Sequence, residues 1–379
     1  MLHIKYYRRR VRAGLALIAV IAAGSAAHAH EQGSQAQQSA GVVGRVAKDP
    51  FVDPLDAPAV MHPQVAGRPL MAVARAGARI VAVGMRGLIA VSGDEGKTWS
   101  QVGVPVRSDL LALSFPTPQE GWAVGHDGVV LHTVDGGDSW TRQLDGRMAA
   151  TTLVAYYKQQ IAGGNAAMQP FLDQLTLNYK QGPSLPLLSV GFRDARHGIA
   201  VGPFGMAIAT DDGGKTWRPI LDRIDNPDFL HLNAVYGQGN DVYLAAEKGT
   251  IFRLDPVSGK FLAVKTGYAG SFFGMTGDER ALYAFGLRGT IYRSLDRGVT
   301  WAPTPSPLHG AVTSAMPFES GHEVIFVTAG GEAAVYDERV ESFRRVTLRH
   351  PSVLTGVLPL KDGGLAIASL NGPATVSTR

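Results

Sequence analysis

Four carboxylates recur at one position of a repeated octapeptide, and a carboxylate is a common general acid or base. The pattern is Ser/Thr-x-Asp-x-Gly-x-Ser/Thr-Trp, at residues 92–99, 133–140, 210–217 and 294–301. A catalytic acid is needed once, whereas a turn is needed in every repeat. Aspartate bonds its own backbone in a tight turn, glycine supplies a positive φ, and tryptophan buries a large ring between neighbouring sheets. We therefore predict that the repeated residues are structural: Asp94, Trp99, Asp135, Trp140, Asp212, Trp217, Asp296 and Trp301.

One other pair of residues has catalytic potential, the adjacent His126 and Asp127. An imidazole beside a carboxylate can polarise a nucleophile or bind a metal ion, but a single His-Asp pair in a turn more commonly makes a local hydrogen bond. The chain has no cysteine, which excludes thiolate metal sites, disulfides and cysteine nucleophiles. No pair of carboxylates stands apart from the repeats. The sequence therefore predicts no catalytic residue, no metal site and no cofactor.

The octapeptides belong to a longer repeat that also contains a glycine and a short apolar run. Such glycines lie at positions 87, 128, 205, 249, 289, 331 and 372, so the spacing is near 41 residues except for one interval of 77. A period of this length, with several short strands in each unit, is typical of β-propellers. We predict an all-β fold over residues 51–379, a seven-bladed β-propeller.

The interval of 77 contains about 36 additional residues, which follow Trp140. Apolar residues there recur at helical spacing in two groups, from Leu153 to Ile161 and from Met168 to Tyr179, with two glycines between the groups. We predict a helical hairpin inserted into the ring at residues 147–181.

The N-terminal segment accounts for the basic character of the chain. Residues 1–29 contain five basic side chains, then an apolar run, then Ala27-His28-Ala29, which predicts a cleaved signal peptide. Its removal leaves 31 basic residues against 32 acidic ones, which gives no reason to expect nucleic acid binding. Residues 30–50 are polar and predict a flexible leader. These features predict a periplasmic protein with no stable membrane insertion after signal cleavage.

The octapeptide is identified as the Asp-box, or bacterial neuraminidase repeat. With its preceding glycine and its period, the chain resembles the photosystem II stability/assembly factor family over about residues 68–379. The resemblance implies an exported, non-catalytic propeller scaffold that assists the assembly or stability of a membrane or envelope protein complex. In that family a basic patch on one propeller face engages a partner polypeptide, and Arg86 and Arg288 are the positions that match it. The implied partner is a membrane or envelope protein, which includes binding through a peptide tail.

The alternation of strand direction indicates which face would bind that partner. The Asp-boxes lie between the third and fourth strands of each blade, so the turns between second and third strands emerge on the opposite face. Connections between blades, including the predicted hairpin, share that opposite face. We predict the partner-binding residues there: Arg86, His126, Lys248 and Arg288. The last unit ends after its third strand, so we also expect a segment within residues 51–63 to supply the missing strand and close the ring.

The alternative function is that of a sialidase-like glycoside hydrolase, because sialidases carry the same box. Such a site needs three arginines for the substrate carboxylate, a tyrosine nucleophile with a glutamate partner, and an aspartic acid. Arg68 is the only early arginine near the expected motif, and it lacks the full Arg-Ile-Pro form. Sialidases also close with six blades, whereas seven units are counted here.

Overall fold

A computed structural model describes residues 52–319, 321–348 and 352–377. The predicted signal peptide and leader, residues 1–29 and 30–50, lie outside the described residues. Seven antiparallel sheets follow one another along the chain, and within each sheet the strands lie side by side in sequence order. Because the chain never crosses between sheets, each sheet is one blade, and the predicted seven-bladed propeller is confirmed.

The strands of the first four blades are short, mostly of four to seven residues. Blade 1 contains β1 (Leu70–Ala76), β2 (Arg79–Gly84), β3 (Ile89–Ser92) and β4 (Ser100–Val102). Blade 2 contains β5 (Leu110–Ser114), β6 (Gly121–Gly125), β7 (Val130–Thr133) and β8 (Thr141–Leu144). Blade 3 contains β9 (Ser189–Phe192), β10 (Gly198–Val201), β11 (Ala207–Thr210) and β12 (Arg218–Pro219). Blade 4 contains β13 (Leu232–Gln238), β14 (Asp241–Ala246), β15 (Thr250–Leu254) and β16 (Phe261–Lys265).

The remaining three blades follow the same plan. Blade 5 contains β17 (Phe272–Gly277), β18 (Leu282–Gly286), β19 (Ile291–Ser294) and β20 (Ala302–Pro303). Blade 6 contains β21 (Val312–Pro317), β22 (Glu323–Thr328), β23 (Ala333–Asp337) and β24 (Ser342–Val346). Blade 7 contains β25 (Leu354–Pro359), β26 (Leu365–Ser369) and β27 (Ala374–Val376). The second strand of every blade is almost completely buried, as expected for a strand covered on both sides by neighbouring blades.

The first strands form the inner ring of the propeller, since each packs against the first strands of both neighbouring blades. In six of the seven blades the inner strand has a β-bulge near its first residue. A bulge leaves one residue out of the ladder and redirects its side chain. In three blades that side chain donates a hydrogen bond of 2.7–2.8 Å to the first carbonyl of the next inner strand: Asn233 to Phe272, Thr313 to Leu354, and Thr355 to Leu70.

The last of these bonds helps to close the ring between blades 7 and 1. Leu70 and Ile80 of blade 1 share a core cluster with Leu358 and Ala366 of blade 7. The prediction that residues 51–63 supply a fourth strand to blade 7 is wrong for the described residues, because blade 7 has three strands there. The ring closes by packing of one complete sheet face against another.

The segment that was expected to close the ring lies elsewhere. It forms one 3₁₀ turn, Pro54–Asp56, and then runs along the link between blades 1 and 2. The Ala59 amide donates to the carbonyl of Val104, and the Arg107 amide donates to the carbonyl of Pro54. Three prolines, at positions 54, 58 and 63, explain the difference, because proline cannot donate to a strand ladder.

The predicted helical hairpin is confirmed as two α-helices, α1 (Gly146–Ala162) and α2 (Gln169–Asn178). Asp145 caps α1 by accepting a hydrogen bond from the Met148 amide at 2.9 Å. Tyr157 of α1 is completely buried, and its hydroxyl donates to Asp222 at 2.7 Å. Burial and the Asp222 carboxylate together raise the pKa of Tyr157 well above its ordinary value. Within the described residues, no helix has the length and hydropathy needed to cross a bilayer.

Candidate partner-binding face

The turns divide the propeller into two faces. On the box face, each Asp-box turn lies beside the turn between the first and second strands, as shown by the bond from the Gly136 amide to the Gln119 carbonyl. On the connection face, the turn between the second and third strands of a blade lies beside a segment that links this blade to one of its neighbours. There the Gly87 amide donates to the Ser108 carbonyl and the Gly289 amide donates to the Gly310 carbonyl. These hydrogen bonds place the box turns and the turns between second and third strands on opposite faces, as strand direction predicted.

The box aspartates are fully engaged in their own turns. In blade 2, Asp135 Oδ1 accepts from the Ser139 amide at 3.0 Å and from the Thr133 hydroxyl at 2.7 Å, while Oδ2 accepts from the Ser139 hydroxyl. The other three boxes repeat these contacts. Burial acts to raise the pKa of Asp135 and of Asp296, but the hydrogen bonds outweigh it and lower both to about 2. A carboxylate so held stays ionised and is a poor proton donor at neutral pH.

The box tryptophans pack inside the ring. Trp140 is 5% exposed, its indole N–H donates to the Gly137 carbonyl at 3.1 Å, and its ring meets Phe115 edge-on. Trp99 and Trp301 make the equivalent N–H bond but are only partly buried. Trp217 is buried, and its N–H has no partner among the described residues. This geometry is that of a structural turn closed by an aromatic side chain.

The turns on the connection face have a strained backbone. In blades 1 to 5 the turn reverses the chain through two residues with positive φ, the pattern of a type I′ turn, whereas in blades 6 and 7 only the glycines Gly331 and Gly372 have positive φ. In blades 1 to 5 the second of the two residues is glycine, whereas the first is not glycine: Arg86, Asp127, Phe204, Lys248 and Arg288. The dihedral angles are φ 56° and ψ 40° at Arg86 and φ 54° and ψ 42° at Arg288. A non-glycine side chain in this region costs about 1–2 kcal/mol, and only Asp127 is of a type that tolerates it well.

The predicted site residues occupy equivalent places in different blades. Arg86 and Arg288 are exposed, and their guanidinium groups have no hydrogen bond or ion pair with any described residue. Lys248 is also exposed, but its ammonium group pairs with Asp228 at 2.8 Å. Arg86 belongs to blade 1, Lys248 to blade 4 and Arg288 to blade 5. Lys248 and Arg288 are therefore in neighbouring blades, whereas blades 6 and 7 separate Arg288 from Arg86.

The His126–Asp127 pair does not form a catalytic arrangement. Asp127 accepts a hydrogen bond from the Ser108 hydroxyl at 2.6 Å, and this bond ties the turn to the adjacent link. His126 is half-buried, and its ring has no hydrogen bond with any described residue. No group of three or more histidine, aspartate or glutamate side chains suited to a metal ion is found in the described part of the chain.

Sequence reasoning missed an aromatic residue on this face. Phe204 holds the position in blade 3 that Arg86 holds in blade 1 and is 39% exposed, and its ring packs at a tilt against His231, with 4.7 Å between the ring centroids. The carbonyl of Phe204 accepts from Gln174 and Asn178 of α2, so the hairpin buttresses this turn. Alignment of the seven turns by their glycines would have found it.

The sequence also gave no sign of the apolar residues near the inner ring on the connection face. Met71, Leu111 and Phe273 are the bulged residues of blades 1, 2 and 5, and all three are partly exposed. They correspond to the residues that make cross-blade hydrogen bonds in blades 4, 6 and 7. The connection face therefore combines cationic turn residues with apolar and aromatic side chains, a composition that is common in protein-binding surfaces.

Comparison with known proteins gives several relatives of one kind. The family model described as "Photosynthesis system II assembly factor YCF48" matches residues 74–161. The photosystem II assembly lipoprotein Ycf48 of Synechococcus sp. (strain CC9902) is 23% identical over 245 residues, which is 59% of this chain and 71% of that protein. The photosystem II assembly protein Ycf48 of Synechococcus sp. (strain JA-2-3B'a(2-13)) is 29% identical over 171 residues. That match covers 41% of this chain and about half of the relative, 49%.

Among solved structures, "YCF48 bound to D1 peptide" superposes with a TM-score of 0.60 at 15% sequence identity. The superposition covers 84% of this chain and 96% of the other. At this level of identity the likeness shows a shared fold, while the family model and the sequence relatives supply the link to one kind of propeller. Together these matches confirm the predicted resemblance to the photosystem II stability/assembly factor-like β-propellers.

Proposed function

We propose that this protein is a non-catalytic propeller scaffold that assists the assembly or stability of a membrane or envelope protein complex. The proteins it resembles are named as assembly factors, and one solved relative is described as bound to a D1 peptide. The proposed partner is therefore a membrane or envelope protein that presents a peptide segment. The proposed docking surface is the connection face, with Arg86, His126, Lys248 and Arg288 as contact residues.

The observation that carries this proposal is the unusual choice of residues in the strained turns. Glycine or asparagine would fit this left-handed position with little penalty, and in blades 6 and 7 the equivalent residues, Gly330 and Asn371, do not have positive φ at all. Arg86 and Arg288 instead hold long cationic side chains in a costly conformation. Their guanidinium groups make no hydrogen bond or ion pair with a described residue. Backbone strain that stabilises nothing internally favours a role in binding.

The proposal that the protein is not an enzyme has two supports. The relatives are named for assembly rather than for a reaction. The repeated carboxylates are committed to turn hydrogen bonds and have lowered pKa values, so they are unsuited to protonate a glycosidic oxygen. A screen on fluorogenic sialosides and other glycosides checks this directly. Turnover that survives purification and is lost on substitution of one described residue would overturn the non-catalytic proposal.

The proposed location is the periplasm. It is supported by the signal-peptide pattern of residues 1–29 and by a relative that is named a lipoprotein and is thereby exported. Cell fractionation, with the intact mass of the exported chain, tests this. Cleavage between Ala29 and His30 is expected, and retention of residues 5–24 in the exported chain would contradict a freely soluble periplasmic form.

The docking surface is tested by paired charge reversals. Arg86→Glu with Arg288→Glu should abolish capture of the partner from a detergent-solubilised envelope fraction, because both changes place a carboxylate where the partner's acidic groups would sit. The matched control is Lys97→Glu with Lys215→Glu, two exposed lysines in box turns. Circular dichroism should show both variants folded. Loss of capture in the box-face pair alone would show that the docking surface is the box face and not the connection face.

A further inference from the structure

A cavity of about 240 Å³ lies between blades 3 and 4 and opens on the box face. Its position follows from the residues around it, which come from the ends of strands at the box-face turns. The interior is apolar and is formed by Ile199, Ala209, Ile220, Val235 and Phe261, among others. The cavity is independent of the connection face and of the partner proposed above.

The cavity exists because the outer edge of blade 3 is incomplete. Strand β12 has only two residues, and the second is Pro219, which cannot donate to a ladder. The chain then leaves the blade through a short 3₁₀ turn and pairs Ile224 with Phe261, on the outer strand of blade 4. This crossing segment covers the outer side of the gap between the two sheets. Between other blades, such a gap would be filled by side chains. The result is a partly open space between the two sheets.

The open end carries an excess of positive charge. Arg193, Arg218 and Arg223 line the cavity, and Asp211 is the one acidic residue in its lining. Asp211 accepts a hydrogen bond from Arg218 Nη2 at 2.6 Å. Arg193 contacts Asp194, and Arg223 donates to the backbone carbonyl of Gly259. Each arginine is thus held in place by one carboxylate or by one backbone carbonyl, and some of its N–H groups remain without an acceptor among the described residues.

One of these N–H donors is buried without a hydrogen-bond acceptor in the described part of the chain. Arg218 Nη1 is buried and has no hydrogen-bond partner among the described residues. A buried guanidinium N–H without an acceptor is costly, and such a group in a native protein calls for an explanation. Because Nη1 has no contact with solvent, a ligand in the cavity would meet the other N–H groups of Arg218 and those of Arg193 and Arg223, and a planar carboxylate suits the guanidinium fork best.

We propose that this cavity binds a carboxylate carried on a large apolar group. The apolar group would fill the space between the blades, and the carboxylate would meet Arg218 at the open end, with Arg193 and Arg223 nearby. An apolar cavity of about 150 Å³ accepts benzene, so a space of about 240 Å³ accommodates a substituted aromatic ring or a branched aliphatic chain. Two sources offer this chemistry, a free aromatic or aliphatic acid and the C-terminal residue of a polypeptide.

The first experiment measures binding of N-acetyl-phenylalanine and 3-phenylpropionate by NMR titration of the protein. Saturable shifts are expected in residues around the cavity, with a dissociation constant of roughly millimolar order for ligands of this size and weaker binding at high salt. N-acetyl-phenylalaninamide, which lacks the carboxylate, should bind at least tenfold more weakly. Equal binding of the acid and the amide, or no saturation by either acid, would overturn the proposal.

Two variants test the two parts of the site. Gly237 lines the cavity, and a Cβ added there would meet nothing closer than the Asp241 carbonyl oxygen at 3.8 Å, so Gly237→Leu should fill the space and abolish binding. Arg218→Gln should weaken acid binding at least tenfold and leave amide binding unchanged. The control is Arg339→Gln, an arginine of the same face in blade 6 that pairs with Asp337. Unchanged acid binding in either cavity variant would refute the assignment.

Further ligands separate the two sources. A tetrapeptide that ends in phenylalanine is compared with the same peptide carrying a C-terminal amide. Binding of the free-acid peptide at least as tight as that of N-acetyl-phenylalanine assigns the site to polypeptide C-termini. Binding of the small acids alone assigns it to free acids, and either result supports the proposed chemistry.

Discussion

The tryptophan of the second Asp-box offers the sharpest test of the structural role of the boxes. Trp140 is 5% exposed, and it shares a core cluster with Val81 and Ile89 of blade 1, so its ring joins two blades. Replacement by alanine leaves a cavity between the sheets and removes the N–H bond to Gly137. A buried tryptophan covers about 150–250 Å², which at about 25 cal/mol per Å² corresponds to about 4–6 kcal/mol. Measured losses for such changes are about 3–5 kcal/mol.

Urea denaturation followed by circular dichroism measures this loss. We expect Trp140→Ala to lower the midpoint without changing the slope, because the surface exposed on unfolding is nearly the same. The melting temperature should fall by roughly 6–20 °C, at about 2–4 °C per kcal/mol for a domain of this order of size. Trp301→Ala is the matched comparison and should cost less, since Trp301 is only partly buried. An unchanged midpoint in Trp140→Ala, with partner capture lost, would show that the box residue acts in binding and not in folding.

Three further changes test separate parts of the fold. Burial acts to raise the pKa of Asp135, but hydrogen bonds outweigh it and hold this pKa at about 2 in the folded protein, below the ordinary 3.8. The stability that the lowered pKa provides is complete above about pH 4 and is lost as the pH falls toward 2. Asp135→Asn should therefore flatten the dependence of the urea midpoint on pH over that window. Tyr157→Phe removes the bond to Asp222 and should speed amide hydrogen exchange in α1 while the blade strands stay protected. Thr355→Val leaves the Leu70 carbonyl without its 2.8 Å bond and should lower the free energy of unfolding by about 1–3 kcal/mol, measured by urea denaturation.

The parts of the fold that the sequence predicted depend on local patterns repeated many times. The spacing of glycines identified seven blades because every unit has a glycine with positive φ in the turn after its second strand. The helical spacing of Leu153 and Tyr157 identified α1 because one buried face suffices to reveal a helix. Predicted and observed bounds of the insertion differ little, 147–181 against Gly146–Ala162 and Gln169–Asn178. The assignment of the two faces succeeded for a similar reason, since it follows from strand direction alone.

The features that the sequence did not predict depend on contacts between distant segments. The path of residues 52–63 is fixed by Leu55 and Ala59, which pack between blades 1 and 2, and no local pattern specifies such a contact. The cavity between blades 3 and 4 lies beside a short outer strand, whose Pro219 comes two residues after a box, but a box followed in the same way by Pro303 in blade 5 shows that this local pattern alone does not predict it. For the candidate site, the types of the turn residues could be read from the sequence, but their strained backbone could not, nor could the lack of side-chain partners for Arg86 and Arg288 among the described residues.

The strained turns have a consequence for how such a protein can change its partner. The hydrogen bonds that close each turn come from the backbone, as between the Leu88 amide and the Met85 carbonyl, so folding places few demands on the side chain at the first left-handed position. Five such positions lie on this face, and the residues there are Arg86, Lys248 and Arg288, with Asp127 and Phe204. Where that side chain has no hydrogen bond with a described residue, as at Arg86 and Arg288, its replacement removes none from the blade that carries it. On the proposed partner-binding face, such residues can therefore be changed one blade at a time.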